Sequence, residues 1–307
     1  MWGLNVLKGI GFIWVLSTAL SAIYLFPPVR DIWGYATLAL FVITPLVATF
    51  LAGRRVAFAI NLDNIYLTAG YLALSFLLFE FTVVALVYRA FELYMSDLVY
   101  IIAVFGALVL IGVLNEDIPV NQLAFYEENG SVLAVTRGLA IGSLLFLVVY
   151  GITSSFSIDI RDCLVGYLDN MLATQFEGVA GEFLFMLFFV AIPEEFLARV
   201  FFFNVGSNVV TAPLAGLLMI TTWYALHGVT RYFLPYGSLV LFVITLGGLV
   251  LLLSYGLYGF LSAVFTHAIY NTLIDLMVYY GSVALGVAVV LLLINFLVAR
   301  YYGVKAL

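Results

Sequence analysis

Along most of this chain apolar residues run on without the regular polar interruptions that mark a half-solvated helix or strand. Windows of about 20 apolar residues, the length that crosses a bilayer as a helix, fall at 9–26, 32–52, 65–88, 98–114, 132–153, 181–205, 210–229, 237–255, 257–278 and 282–302. The pattern predicts an all-α, polytopic transmembrane helical bundle of about 8–10 membrane helices. A transmembrane β-barrel would alternate polar and apolar positions over segments of about 10 residues, and these runs do not alternate. The boundary is least defined within 237–278, where "SYGLYG" (254–259) reads either as a tight turn or as a helix flexed at glycine. Spans 98–114 and 237–255 are short enough to be tilted, re-entrant or partly buried.

Polar residues divide the chain unevenly. Residues 1–153 carry few of them and read as a structural set of N-terminal helices. The connection 154–180 is long for a helical bundle. Its Leu164, Tyr167, Leu168, Met171, Leu172 and Phe176 recur at helical spacing, which predicts an interfacial helix over 162–176. Region 181–280 reads as the core that carries chemistry, and 281–307 as a final helix.

Composition strengthens this reading. Hydrophobic residues make up 65% of the 307 positions and charged residues 9%, against about 45–50% and about 25% in soluble domains. The chain is expected to be an integral, multi-pass membrane protein whose first partner is the lipid bilayer. Its formal charge of −6 gathers in "NEDIPVNQLAFYEENG" (115–130) and in 157–178, with no basic patch, so nucleic acid is not an expected partner. The single Cys163 supports neither an internal disulfide nor a multi-thiolate metal site. The first apolar run follows Lys8 and leads directly into further spans, as a retained helix does and a cleaved leader does not. Lys8, Arg54, Arg55, Arg137, Arg300 and Lys305 fall on one side of the predicted bundle, against Arg30, Arg89, Arg161 and Arg231 on the other. That bias places the N-terminus in the cytoplasm.

Against so apolar a background, "AIPEEFLARVFFF" (191–203) stands out. Each charge at a bilayer centre costs about 3 kcal/mol on insertion scales. Glu195 and Arg199 are spaced i,i+4 with the acid first, the favourable order on one helix, and predict a structural pair that offsets its own burial. Glu194 is turned roughly 100° away. Pro193 cannot donate to the Phe189 carbonyl, which loosens the turn beside Glu194. The only two histidines lie further on, His227 in "TTWYALHG" (221–228) and His267 in "SAVFTHAIYNTLIDL" (262–276). Trp223 precedes His227 by four residues, Asn271 follows His267 by four, and Asp275 continues that face. Glu80 is a lone mid-span acid that either pairs with Arg89 or meets a polar residue on another helix. Glu182 marks a helix start, where an acid suits the dipole.

One histidine in an apolar helix is more often a packing residue than a catalytic one, and His267 with Asn271 alone would pass for interhelical hydrogen bonding. The set as a whole is more specific. "EEFLAR" (194–199), "WYALH" (223–227) and "HAIYN" (267–271) resemble the three motifs of the CAAX-protease and bacteriocin-processing family of intramembrane proteases, which includes the type II CAAX prenyl endopeptidases. The family pattern is Glu-Glu-x-x-x-Arg, Phe-x-x-x-His and His-x-x-x-Asn/Asp on successive helices. The resemblance covers 181–280. Trp223 stands where the pattern has Phe, and Val200 and Phe201 follow Arg199 where a small glycine is common.

The resemblance implies an endopeptidase acting on a membrane-associated or prenylated peptide or protein. It implies Glu194 as the base that activates water with His227 beside it, and His267 and Asn271 as holders of the developing oxyanion. Glu195 and Arg199 would support the site, and Trp223 would pack on His227. Amide hydrolysis asks for such groups, a base for the water and donors where negative charge develops. The same Glu194, His227 and His267 also match a two-histidine, one-glutamate zinc set with an open position. The metal-free reading is preferred because Asn271 suits a neutral donor and is a poor zinc ligand, so no cofactor is favoured, with zinc or another divalent metal as the alternative. Two other classes use the same residues differently. A proton-coupled transporter would employ buried Glu and His as a relay, although no repeat symmetry is evident. A catalytically silent, peptide-binding scaffold would not need all four polar residues. The chain has no His-Glu-x-x-His, Gly-x-Gly-Asp or Gly-x-Ser-Gly, the marks of other intramembrane proteases.

Overall fold

The computed structural model describes residues 2–25, 31–55, 68–77, 106–107, 130–159, 179–231 and 236–307, and no strand occurs among them. The chain is all-α. Its principal helices are Trp2–Leu25, Ile32–Arg55, Ser131–Ser155, Ala212–Arg231, Gly237–Tyr258, Phe260–Tyr280 and Val283–Tyr301. A further stretch, 179–209, alternates α-helical and π-helical turns. Among the described residues five helices are long and apolar enough to cross a membrane: Ile32–Ala52, Ser131–Ser155, Gly237–Tyr258, Phe260–Tyr280 and Val283–Tyr301. Three shorter apolar helices, Asn5–Leu20, Thr68–Leu77 and Ala212–Tyr224, accompany them. The span expected at 98–114 (apart from 106–107), the interfacial helix at 162–176, Cys163, Glu80, Arg89 and Arg161 lie outside the described residues.

"SYGLYG" resolves into helix followed by a break. The helix runs through Gly256 to Tyr258, and Gly259 at φ 96° ends it before a new helix starts at Phe260. A side chain at that φ would be strained, so glycine is what permits two spans where hydropathy alone allows one.

By packing, the chain divides into two units. The first comprises Met1–Ala124, Phe196–Phe233 and Gly237–Leu249, and the second Phe125–Glu195, Leu234–Tyr236 and Val250–Leu307. In the second unit, helix Phe260–Tyr280 lies against Ser131–Ser155 along "GLAIG" (138–142). A Cβ on Gly138 would collide with the Ser262 carbonyl, and one on Gly142 with the Thr266 carbonyl and Ile269. This is the small-xxx-small approach by which membrane helices, lacking a hydrophobic drive, gain packing and polar contacts. It brings the Thr266 hydroxyl within 3.1 Å of the Gly138 carbonyl. Ser254 joins the cluster, with its Oγ 2.8 Å from Ser262 Oγ and 2.9 Å from Thr266 Oγ1. Arg137, also buried, donates to the Lys305 carbonyl at 3.3 Å and lies 4.7 Å from the Tyr258 ring centre.

In the first unit, helix Ala212–Arg231 packs on Ile32–Arg55, where Gly216 leaves no room for a side chain beside Ala48. The π-helical stretch Phe196–Val205 packs there too. A π turn is wider than an α turn and upsets the regular carbonyl ladder. Fully buried Tyr71 supplies a donor to that stretch, with its hydroxyl 2.8 Å from the Phe202 carbonyl and Gly206 leaving the space it occupies.

Candidate functional site: two histidines held in different ways

The acidic motif sits between two π-helical stretches. Through Met186–Ala191 the helix widens, and the Ile192 N–H bonds to the Leu187 carbonyl five residues back. Pro193 follows at once. A proline in a regular helix loses a donor and presses its ring on the carbonyl four residues earlier. A wide turn just before it accommodates both defects. Ile192–Glu195 then returns to α geometry, and Phe196–Val205 is π-helical again.

Glu195 is wholly buried and aims at His267, with Oε1 2.9 Å from Nδ1. With the carboxylate ionised, Nδ1–H donates, a charge-assisted bond in an apolar setting. His267 Nε2 faces the other acid, 3.9 Å from Glu194 Oε2, and the Glu194 side chain keeps 17% of its surface exposed. That separation exceeds a hydrogen bond but suits a bridging water about 2.8 Å from each atom. Asn271 follows one turn later on the same helix, half-buried, and Asp275 one turn further, buried. Thr266, pinned to Gly138, immediately precedes His267, so the glycine-lined helix contact fixes the backbone that presents the imidazole.

Arg199, Trp223 and His227 form a second cluster, in the first unit. The Arg199 guanidinium lies 4.4 Å from the Trp223 ring centre and donates from Nη2 to the Gly248 carbonyl at 2.9 Å. Trp223 Nε1 donates to the Ile244 carbonyl at 3.1 Å. The His227 ring lies 4.2 Å from the Trp223 ring at 34°, and His227 Nδ1 is 2.8 Å from the Trp223 carbonyl. A carbonyl oxygen can only accept, so the proton is on Nδ1 and, in the neutral ring, the lone pair is on Nε2.

The expected residues thus assemble around the histidines, Glu194 and Glu195 at His267, Arg199 and Trp223 at His227. The spacing argument that linked Glu195 to Arg199 assumed α geometry. The turn that follows Glu195 is π-helical, so spacing alone does not decide that pair; Glu195 bonds His267, and Arg199 bonds the Gly248 carbonyl and lies over the Trp223 ring. Sequence reasoning missed Gly248, Ile244, Ser254 and Thr266. The Gly-x-x-x-Gly at 138–142 was the available signal for the contact behind Thr266. Among the described residues no group of three or more His, Cys, Asp or Glu is placed to hold a metal ion. No family model, characterised protein or solved structure matches the chain.

Proposed function

We propose that this chain is an intramembrane endopeptidase of the CAAX-protease type, cleaving a peptide bond of a membrane-associated or lipidated substrate with water activated by Glu194. The observation that carries the reading is His267, bonded through Nδ1 to buried Glu195 and facing half-buried Glu194 across 3.9 Å. Two carboxylates at one imidazole, within an otherwise apolar helix system, are costly to bury. A role in handling protons and negative charge explains their retention better than packing does. The three-motif resemblance supports the same assignment.

In the proposed reaction Glu194 takes a proton from a water held between it and His267, and the water oxygen bonds to the substrate amide carbon. The negative charge that develops on the carbonyl oxygen is received by donors, Nε2–H of His267 as an imidazolium and the Asn271 side-chain amide. The C–N bond then breaks, and protonated Glu194 returns its proton to the leaving nitrogen. Glu195 holds the His267 ring through its bond at Nδ1. His227 assists water activation, a role it takes from the resemblance. No step uses a metal.

The test is a cleavage assay with purified protein in lipid nanodiscs. A farnesylated Cys-a-a-X peptide and an unprenylated membrane-spanning peptide serve as separate substrates, and products are read by mass spectrometry. Cleavage that vanishes in Glu194→Gln and survives strong chelators is the expected result. Activity lost to chelator and regained with zinc would replace the metal-free mechanism. Absence of cleavage, with Glu194-dependent proton movement into proteoliposomes, would favour a transporter.

A further inference from the structure

We infer that Trp223 is a positioning residue, clamped on three sides so that His227 is fixed as its Nδ1–H tautomer with Nε2 as the nitrogen offered for chemistry. The inference rests on the proposed function for what Nε2 does, but not for which tautomer is present.

The indole is held at its edge and on its face. Nε1–H is committed to the Ile244 carbonyl at 3.1 Å, which sets the ring's rotation. The Arg199 guanidinium, 4.4 Å from the ring centre, is itself held by the Gly248 carbonyl at 2.9 Å. Gly248 also yields the space the indole uses, since a Cβ there would stand 2.8 Å from Trp223 Cδ1 and 3.1 Å from Nε1. All of these groups are buried. A stacked cation and a bonded N–H are things a phenylalanine at this position could only half supply, because it has no donor for Ile244.

The clamp acts on His227 through the stacking contact at 4.2 Å, which limits rotation of the imidazole and keeps Nδ1 on the Trp223 carbonyl. That carbonyl belongs to every possible residue at 223. What tryptophan adds is the rotamer in which the bond is made. Without the stack the imidazole is free to rotate, and the proton can move to Nε2, the nitrogen that carries it more often in an unconstrained neutral side chain. Gly248, Ile244 and Arg199 therefore serve His227 without touching it.

The experiment uses full-length protein in detergent or nanodiscs, labelled with 15N only at histidine. The chain has two histidines, so two pairs of ring signals are expected, and His267→Gln assigns them by leaving His227 alone. At a pH where the rings are neutral, His227 should show an Nδ1–H tautomer in at least about tenfold excess, the bias an ordinary hydrogen bond gives. Trp223→Phe should keep most of that excess. Trp223→Ala and Gly248→Val, checked for an intact fold by the unchanged His267 signals, should lower it to about parity or invert it. A purely structural role would lower the stability of these variants while leaving the tautomer of the folded protein unchanged, and that result overturns the inference. So does a wild-type His227 that carries its proton on Nε2, an outcome that needs no variant to fold. Absence of peptidase activity bears on the proposed function and leaves the tautomer measurement intact.

Discussion

His267 and His227 bond through Nδ1 at 2.9 Å and 2.8 Å respectively, each within a long α-helix, yet they are held by opposite means. His267 is held by charge: buried Glu195 takes its proton side, Glu194 faces the other nitrogen, and a glycine-lined helix contact fixes the backbone beside it. His227 is held by packing, its ring against Trp223 and its proton on a backbone carbonyl of its own helix. The first bond meets a carboxylate and the second a backbone carbonyl, so the two rings are fixed by partners of different charge. The contrast supports the different tasks that the proposed function gives the two histidines.

The largest expected effect falls on the charge-held side. Glu194→Gln removes the proposed base while keeping shape and hydrogen-bonding capacity. Cleavage should fall by about 10²–10⁴-fold, the usual worth of a positioned general base, with thermal stability in detergent close to wild type. If Glu194→Gln retains more than a tenth of wild-type activity in the nanodisc assay, Glu194 is not the base.

Next comes the stability of the same region. Glu195→Ala would leave the His267 Nδ1–H buried without its acceptor, at a cost of about 3–5 kcal/mol, as when one partner of a buried pair is removed. Glu195→Gln keeps an acceptor and loses only the charge, so it should cost about 1–1.5 kcal/mol. Unfolding in mixed micelles measures both. Equal losses would mean that the carboxylate charge contributes nothing to holding the imidazole, and the contrast between the two histidines would fail.

That long-range pairing also shows what the sequence could and could not reveal. Continuous apolar runs were enough for the all-α architecture, and the observed helices at Ile32–Arg55, Ser131–Ser155 and Val283–Tyr301 lie within a few residues of the windows. Trp223 against His227 was legible because both lie on one α-helix four residues apart. Glu195 against His267 was not, because 72 positions separate them and only tertiary packing selects the partner. The i,i+4 rule that paired Glu195 with Arg199 presupposes an α-helix, and Phe196–Val205 is π-helical, so spacing alone does not decide that pair. Pro193 hinted at irregularity, but proline alone cannot distinguish a kink, a break or a widened turn. Gly248 carried no signal, since a glycine's value here lies in the side chain it makes room for.

A third effect is steric. Gly142→Ala sets a methyl group against the Thr266 carbonyl and Ile269, so the two helices must separate, at about 1–3 kcal/mol for overpacking. Because Thr266 adjoins His267, the same variant should lower cleavage more than an equally destabilising substitution in the first unit, such as Gly216→Ala against Ala48. The ratio of activity lost to stability lost, compared between these two variants, is the measurement. Equal ratios would show that the glycine contact supports the fold without regard to the histidine.

The smallest effect tests whether the hydroxyl cluster behind His267 belongs to this support. Ser254→Ala removes one Oγ that reaches both Ser262 and Thr266, at 2.8 Å and 2.9 Å. Polar contacts between membrane helices average about 0.6 kcal/mol, because the unfolded chain in the membrane also finds partners. Thr266 is not left unsatisfied by the change, since its hydroxyl still has the Ser262 carbonyl at 2.7 Å and the Gly138 carbonyl at 3.1 Å. The loss should therefore stay near that average, and cleavage should change less than about threefold, the factor such an energy corresponds to. A tenfold loss of activity at so small a cost in stability would show that Ser254 takes part in placing His267, and would extend the charge-held cluster one helix further than its ionisable groups.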